Sequence, residues 1–272
     1  MFKRLCFSYL VSGKTGFGST AHFKIPHYFK NVDSIKKRHK KYADFCGAEY
    51  KFVTDGEQFE SFFLMMTSKY PFLRDFDVIS NFKPYLINEF LKDYDEVLYL
   101  DVDIFPGYIQ KNFFQSFNLD DGVALCFRQP KWINEINKDK LRINPIFRKW
   151  FVSKTMAEQN GFSPHSNIVN YNTGVVGASK TSFNKLNYFE NLDVLKMINE
   201  TDFGMIQNTE KKKKHFFSCE VMFQYCDLRG NNLFTDIGDK WNCFKDYDCG
   251  QYFIHASSKE MYARATNTNY SH

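Results

Sequence analysis

The sequence predicts an α/β protein, a mostly parallel sheet with helices on both faces, built as a single domain. Three observations carry that expectation. Strand-like and helix-like segments alternate along the whole chain. Residues 97–100, Val-Leu-Tyr-Leu, form an unbroken apolar run of the kind found in strands covered on both faces. The length of 272 residues, 43% hydrophobic with 31 Phe and 16 Tyr, supplies enough apolar surface for a large core. The same composition excludes disordered, collagenous and low-complexity classes. The excess of 36 basic over 31 acidic residues, a net charge of +5, suits a phosphate-bearing ligand and falls short of the strongly basic footprint of a nucleic-acid binder.

Taken in order, residues 5–11 read as a first buried strand. Met1-Phe2-Lys3-Arg4 before it looks like the basic start of a signal peptide, but Ser8 and Tyr9 interrupt the apolar run and no small-residue cleavage site follows. Residues 13–19 read as a flexible turn, because Gly13-Lys14-Thr15 lacks the earlier glycine that Walker spacing requires. A helix is expected over 34–46, with Ser34 as cap, basic residues on one face and Gly47 as stop. A strand over 50–53 follows. Over 77–94, Ile79, Phe82, Leu86, Ile87 and Phe90 share one side of a helix that Pro84 should kink. Strands are expected over 96–100 and 123–127, then a long, less regular stretch over 128–170 of the kind that covers a site. The remainder reads as a strand over 173–178, helices over 182–199 and 219–228, and a last strand over 251–254. Lysines 211–214 read as a solvated loop.

Seven cysteines, an odd number with no C-x-x-C pair, favour reduced, buried thiols in a cytoplasmic protein. No window approaches the ~18 consecutive apolar residues of a membrane span, which leaves only peripheral membrane association open.

In a parallel α/β sheet, ligands bind beyond the carboxyl ends of the strands. Asp101 and Asp103 stand at such an end, immediately after the apolar run. Residues i and i+2 of extended backbone project to one side, so both carboxylates can converge on one point. Their mutual repulsion is relieved by a hard divalent cation, Mn²⁺ or Mg²⁺, which also takes phosphate oxygens as ligands. The bland alternative is a pair of solvated aspartates bonding loop amides. Of the chemistries that use Asp-x-Asp after a strand, dehalogenase-type phosphatases resemble D-x-D-x-[TV] near the chain start, whereas Ile104-Phe105-Pro106 follows here. The other is glycosyl transfer, in which the cation stabilises the diphosphate leaving group.

An ordered series of segments resembles the A-type-fold glycosyltransferases, a nucleotide-diphospho-sugar transferase superfamily with a Rossmann-like sheet, in particular family 8 and its retaining relatives. Ser34-Ile35-Lys36-Lys37-Arg38-His39-Lys40-Lys41-Tyr42-Ala43 with Tyr50-Lys51-Phe52-Val53-Thr54-Asp55 resembles their first helix and second strand. Phe82-Lys83-Pro84-Tyr85 and Tyr94-Asp95-Glu96-Val97-Leu98-Tyr99-Leu100-Asp101-Val102-Asp103 are similar to the helix and strand leading into their D-x-D. Tyr171-Asn172-Thr173-Gly174-Val175-Val176 resembles the N-[TA]-G strand that lines the donor-sugar site. Cys219-Glu220-Val221-Met222-Phe223 stands where they carry an acidic residue opening a short helix. Asp239-Lys240-Trp241-Asn242 resembles their W-N segment, and Phe253-Ile254-His255 the strand ending in the metal-site histidine. The family's H-x-x-G-x-x-K-P-W is here His255-Ala256-Ser257-Ser258-Lys259-Glu260-Met261, without the glycine and the Pro-Trp.

The resemblance implies a metal-dependent hexosyltransferase that uses a nucleoside-diphosphate sugar, a UDP-sugar foremost, and a glycan, lipid or protein acceptor, with retention at the anomeric carbon. Residues 1–105 would be the nucleotide-binding half ending in the D-x-D, and 106–272 the acceptor and donor-sugar half. Asp101, Asp103 and His255 would hold Mn²⁺ or Mg²⁺, with Asp101 also facing the nucleotide; the ordinary reading of His255 is a strand-end histidine. Glu220 would stabilise the sugar centre or bind its hydroxyls, or else merely interact with a helix dipole. Asn172 would bond the sugar or cap its own loop. Lys83 and Lys259 would reach phosphate, Tyr9 and Thr54 would lie beside the nucleobase, and Trp241 is core or acceptor wall. His22, His27, His39 and His215 show no ligand spacing and read as surface residues. Alternatives are a nucleotidyltransferase of the same fold, a carbohydrate-binding protein without turnover, and the dehalogenase-type phosphatase.

Overall fold

The first strand, Arg4–Leu10 (β1), is buried along almost its whole length, so its alternate side chains feed two separate cores. Leu5, Phe7 and Tyr9 enter one hydrophobic cluster and Cys6 the opposite one. The same alternation recurs in Glu96–Leu100 (β3), where Val97 and Tyr99 part from Leu98 and Leu100, and in Val123–Arg128 (β5), where Val123 and Leu125 part from Ala124 and Cys126. Strands with both faces apolar must be covered on both sides, as the sequence predicts. The computed structural model describes residues 2–12, 25–107, 109–128, 145–161, 170–196, 218–229, 233–243 and 250–256.

With Glu49–Thr54 (β2), Asn170–Ser179 (β6) and Phe234–Asp236 (β7), these strands form one sheet in the order β2-β1-β3-β6-β5-β7. β1 pairs in parallel with β2 and β3, and β5 with β7, while β6 runs antiparallel to both β3 and β5. Among the described residues the sheet is therefore mainly parallel, with one reversed strand. A separate ribbon pairs Ile104–Pro106 (β4) with Phe253–His255 (β8) in antiparallel fashion, Ile104 opposite His255.

Among the described residues, the named helices follow in chain order Ile25–Lys30 (α1), Val32–Cys46 (α2), Glu57–Lys69 (α3), Asp75–Phe90 (α4), Phe113–Ser116 (α5), Pro145–Gln159 (α6), Lys180–Lys185 (α7) and Cys219–Arg229 (α8). α3, α4, α6 and α8 bury side chains in the first cluster, and α2 and α5 in the second. α2 ends at Gly47, whose left-handed φ of +66° and N–H bond back to the last turn form the expected stop. α4 runs through Pro84 within a single helical span.

Three sequence expectations need correction. α3 is not among the expected helices, although its buried Phe59, Phe62, Phe63 and Met66 keep i, i+3, i+4, i+7 spacing. The stretch over 128–170 contains the 15-residue helix α6. The helix expected over 182–199 is broken: α7 stops at Lys185, Asn187 adopts φ +45°, and a short 3₁₀ turn, Glu190–Asp193, follows. A left-handed residue cannot continue a right-handed helix, and Asn tolerates that conformation better than most. The 13–19 and 211–214 segments lie outside the described residues. The six described cysteines are free and buried. No helix among the described residues is long and apolar enough to cross a membrane.

Gly107 closes the β4/β8 ribbon. Its N–H donates to the Tyr252 carbonyl at 2.7 Å, and a Cβ there would lie 2.2 Å from the Gln251 carbonyl oxygen. Gly107→Ala is expected to cost about 1–3 kcal/mol through backbone displacement, read as a lower denaturation midpoint. An unchanged midpoint would show that the ribbon does not constrain this position.

Candidate metal centre

β3 delivers Asp101 to the carboxyl end of the parallel strands. Its N–H donates to the Gly174 carbonyl at 2.8 Å, and a tight turn follows, closed by the Ile104 N–H on the Asp101 carbonyl at 2.9 Å. Asp101 and Asp103 do converge, but through this turn and not through the extended backbone that the sequence suggests. β8 brings His255 alongside, because it pairs with Ile104 directly after Asp103. One ligand atom from each of Asp101, Asp103 and His255 lies within 4.8 Å of the other two. Two carboxylates and one imidazole are a donor set that fits Mn²⁺ well and Mg²⁺ adequately.

Neighbouring side chains hold these candidate ligands. Tyr28 donates its hydroxyl to Asp103 Oδ2 at 3.0 Å, and His255 Nε2 stands 3.4 Å from Asp103 Oδ1. Tyr99 donates its hydroxyl to Asp101 Oδ1. Burial, and then the nearby Asp101 charge, push the Tyr99 phenol well up, which keeps it a neutral donor. Lys83, on α4, is almost fully buried, and its ammonium stands 3.2 Å from Asp101 Oδ1, 2.6 Å from the Thr173 carbonyl and 3.1 Å from the Thr173 hydroxyl. It also lies 4.4 Å from the Tyr99 ring centroid. Its three donors thus tie α4 to β6 and to Asp101.

β6 is irregular here. Leu125 opposes Val176 while the adjacent Cys126 opposes Asn172, so residues 173–175 arch away from β5 toward Lys83 and Asp101. Glu220, in the first turn of α8, accepts the Thr173 N–H through Oε1 at 3.3 Å. Asn172 accepts the Gly174 N–H at 3.0 Å. The structure thereby gathers Lys83, Asp101, Asp103, Asn172, Glu220 and His255 around one strand end.

Other expected residues are placed differently. Tyr9 points into the core against Phe82 and Tyr99, with its hydroxyl on the Ile79 carbonyl at 2.8 Å, so its ring is not offered to a nucleobase. It lies on β1, where alternation sends odd-numbered residues to the first core. Thr54 is exposed at the carboxyl end of β2, level with Leu10. Trp241 is core, packed on Phe113, Phe117, Tyr252 and Phe253. Lys259 lies outside the described residues.

His39, expected at the surface, is fully buried. Its Nε2–H donates to the Ile104 carbonyl at 2.6 Å and its Nδ1 accepts the Ser8 hydroxyl at 2.8 Å, which anchors the strand leaving the Asp-x-Asp turn. Burial foremost lowers its pKa to about 4. The unfolded chain, with His near its ordinary ~6.5, binds the extra proton first, so stability falls as pH drops from about 6.5 to 4, by roughly 3 kcal/mol in full. Thermal melting should show this acid slope, and a folded His39→Gln variant should show it reduced over that window; equal slopes would remove the role of His39.

No family model and no curated relative matches the sequence. Among solved structures, the chain is similar to a glycosyltransferase involved in glycosylation of the major capsid of PBCV-1, at 11% identity over 97% of this chain and 98% of that one, with a TM-score of 0.50. Two further matches are mouse xyloside xylosyltransferase 1 (12% identity, 93% and 96% covered, TM-score 0.48) and the galactosyltransferase LgtC solved with donor and acceptor sugar analogs (10%, 97% and 95% covered, TM-score 0.47). The mainly parallel sheet of the described residues, with Asp-x-Asp directly after β3, and the likeness to the PBCV-1 capsid glycosyltransferase show that the chain has the A-type glycosyltransferase fold.

Proposed function

We propose that the chain is a metal-dependent glycosyltransferase, a single domain that transfers a hexose from a nucleoside-diphosphate sugar to a glycan, lipid or protein acceptor. The observation that carries this reading is the Asp101, Asp103 and His255 cluster, set where parallel strands of this fold end. These three residues would hold Mn²⁺ or Mg²⁺, which neutralises the charge that builds on a departing diphosphate. Lys83 lends its positive charge to the same end through Asp101. Glu220, which accepts the Thr173 N–H of the arched β6, would be the residue that stabilises an electron-deficient sugar carbon or binds its hydroxyls. Thr54, open at the end of β2, is the residue retained for the nucleobase side, and Lys259 for phosphate. A UDP-sugar donor and retention of configuration rest on the family resemblance alone.

The test is a panel of UDP-, GDP- and other nucleotide sugars, assayed for slow hydrolysis with Mn²⁺, with Mg²⁺ and with chelator. Metal-dependent release from one donor supports transfer and identifies that donor. Donor binding without turnover under any condition would instead favour a carbohydrate- or nucleotide-binding protein, and turnover of a generic phosphomonoester would favour a phosphatase.

A further inference from the structure

We infer that Asn242 and Asn172 are positioning residues that fix the tautomer of His255, leaving Nε2 unprotonated toward the Asp103 side; this rests on the proposed role of His255 as a metal ligand. The relay begins at a group with no ambiguity, the backbone N–H of Gly174, which can only donate. It donates to Asn172 Oδ1 at 3.0 Å and so fixes which end of that amide is the oxygen. The Asn242 atom facing the same oxygen, 2.5 Å away, must then be Nδ2, since two carbonyl oxygens there would repel. Asn242 Oδ1 is consequently turned to His255 Nδ1 at 2.9 Å, and an oxygen acceptor at that point requires Nδ1 to carry the proton. A neutral imidazole protonated at Nδ1 keeps its lone pair on Nε2, the nitrogen that stands 3.4 Å from Asp103 Oδ1. A lone pair directed at a carboxylate is unfavourable alone and favourable around a shared cation.

Packing supports the relay. Asn242 is fully buried and His255 nearly so, which keeps bulk water from exchanging these bonds. Gly174 is what lets the parts close up: a Cβ there would lie 3.0 Å from His255 Cε1, 3.1 Å from His255 Nδ1 and 3.1 Å from Asn172 Oδ1. The W-N and N-T-G segments, 70 residues apart, therefore meet to orient one ring. His39 has the opposite arrangement, with the proton on Nε2, and provides an internal reference.

The whole protein, labelled with ¹⁵N-histidine and freed of metal by chelator, is examined by two-bond ¹H–¹⁵N correlation at a pH well above the ordinary ~6.5 of histidine, where only the neutral tautomers compete, and Mn²⁺ binding is measured separately by calorimetry. The expected result is His255 in the Nδ1–H form beside His39 in the Nε2–H form. Asn172→Asp, which still accepts from Gly174 and Asn242, should keep the His255 pattern. Asn242→Leu should shift His255 toward the Nε2–H form and weaken Mn²⁺ about 10- to 100-fold, while the His39 signals report an intact fold. An Nε2–H form of His255 in the native protein overturns the inference, and that spectrum needs no variant to fold. A native Nδ1–H tautomer that Asn242→Leu shifts, in a protein that binds no Mn²⁺, supports the relay while rejecting the metal reading.

Discussion

Asp103→Asn is expected to abolish most metal-dependent donor turnover, by about 10²–10³-fold, the scale on which preorganised charge at a reacting centre acts. The substitution keeps the shape of the side chain and an oxygen for the Tyr28 hydroxyl, so the turn that carries it should survive. What disappears is one negative charge from a candidate ligand set of two carboxylates and one imidazole. Melting temperature should therefore change little while turnover collapses. Turnover within a few-fold of the native rate would remove Asp103 from the metal site, and with it the proposed basis of catalysis.

Phe82→Ala carries the largest expected loss of stability. Phe82 is fully buried on α4 and packs on four aromatic rings, Tyr9, Phe59, Phe62 and Tyr85, with centroids 5.0–5.7 Å away. Removing it strips edge and stacking contacts from all four and leaves a cavity that the rigid sheet cannot collapse into, which costs about 3–5 kcal/mol. For a chain of this length that lowers the melting temperature by roughly 10 °C. Because Lys83 is the next residue on the same helix, the variant should also loosen the tie between α4 and Asp101. A Phe82→Leu variant should recover much of the loss; an Ala variant as stable as the native protein would place Phe82 outside the working core.

The parts of this architecture that are legible in the sequence are those with a local signal. β3 announces itself because four consecutive apolar residues end abruptly in two aspartates, and α4 because its apolar side repeats at helical spacing. β6 is legible through the Asn-Thr-Gly that interrupts a β-branched strand. α3 carried an equally regular pattern in its Phe and Met residues. Other features have no local signature. β4 and β8 are three-residue strands from distant parts of the chain, and only their pairing places His255 beside Asp103. His39 sits among lysines and arginines in the sequence, and its burial follows from partners 31 and 65 residues away, Ser8 and Ile104. Tyr9 marks the same limit from the other side: strand alternation decides which face a residue takes, but not which neighbours occupy that face.

Whether Asp101, Asp103 and His255 hold a cation that in turn holds a nucleoside diphosphate is decided by calorimetric titration of UDP into the whole protein, with Mn²⁺ and with chelator. Binding is expected to require Mn²⁺ and to be lost or strongly weakened in Asp101→Asn, Asp103→Asn and His255→Ala variants that remain folded. Binding of equal strength in chelator, untouched by any of the three substitutions, would contradict it.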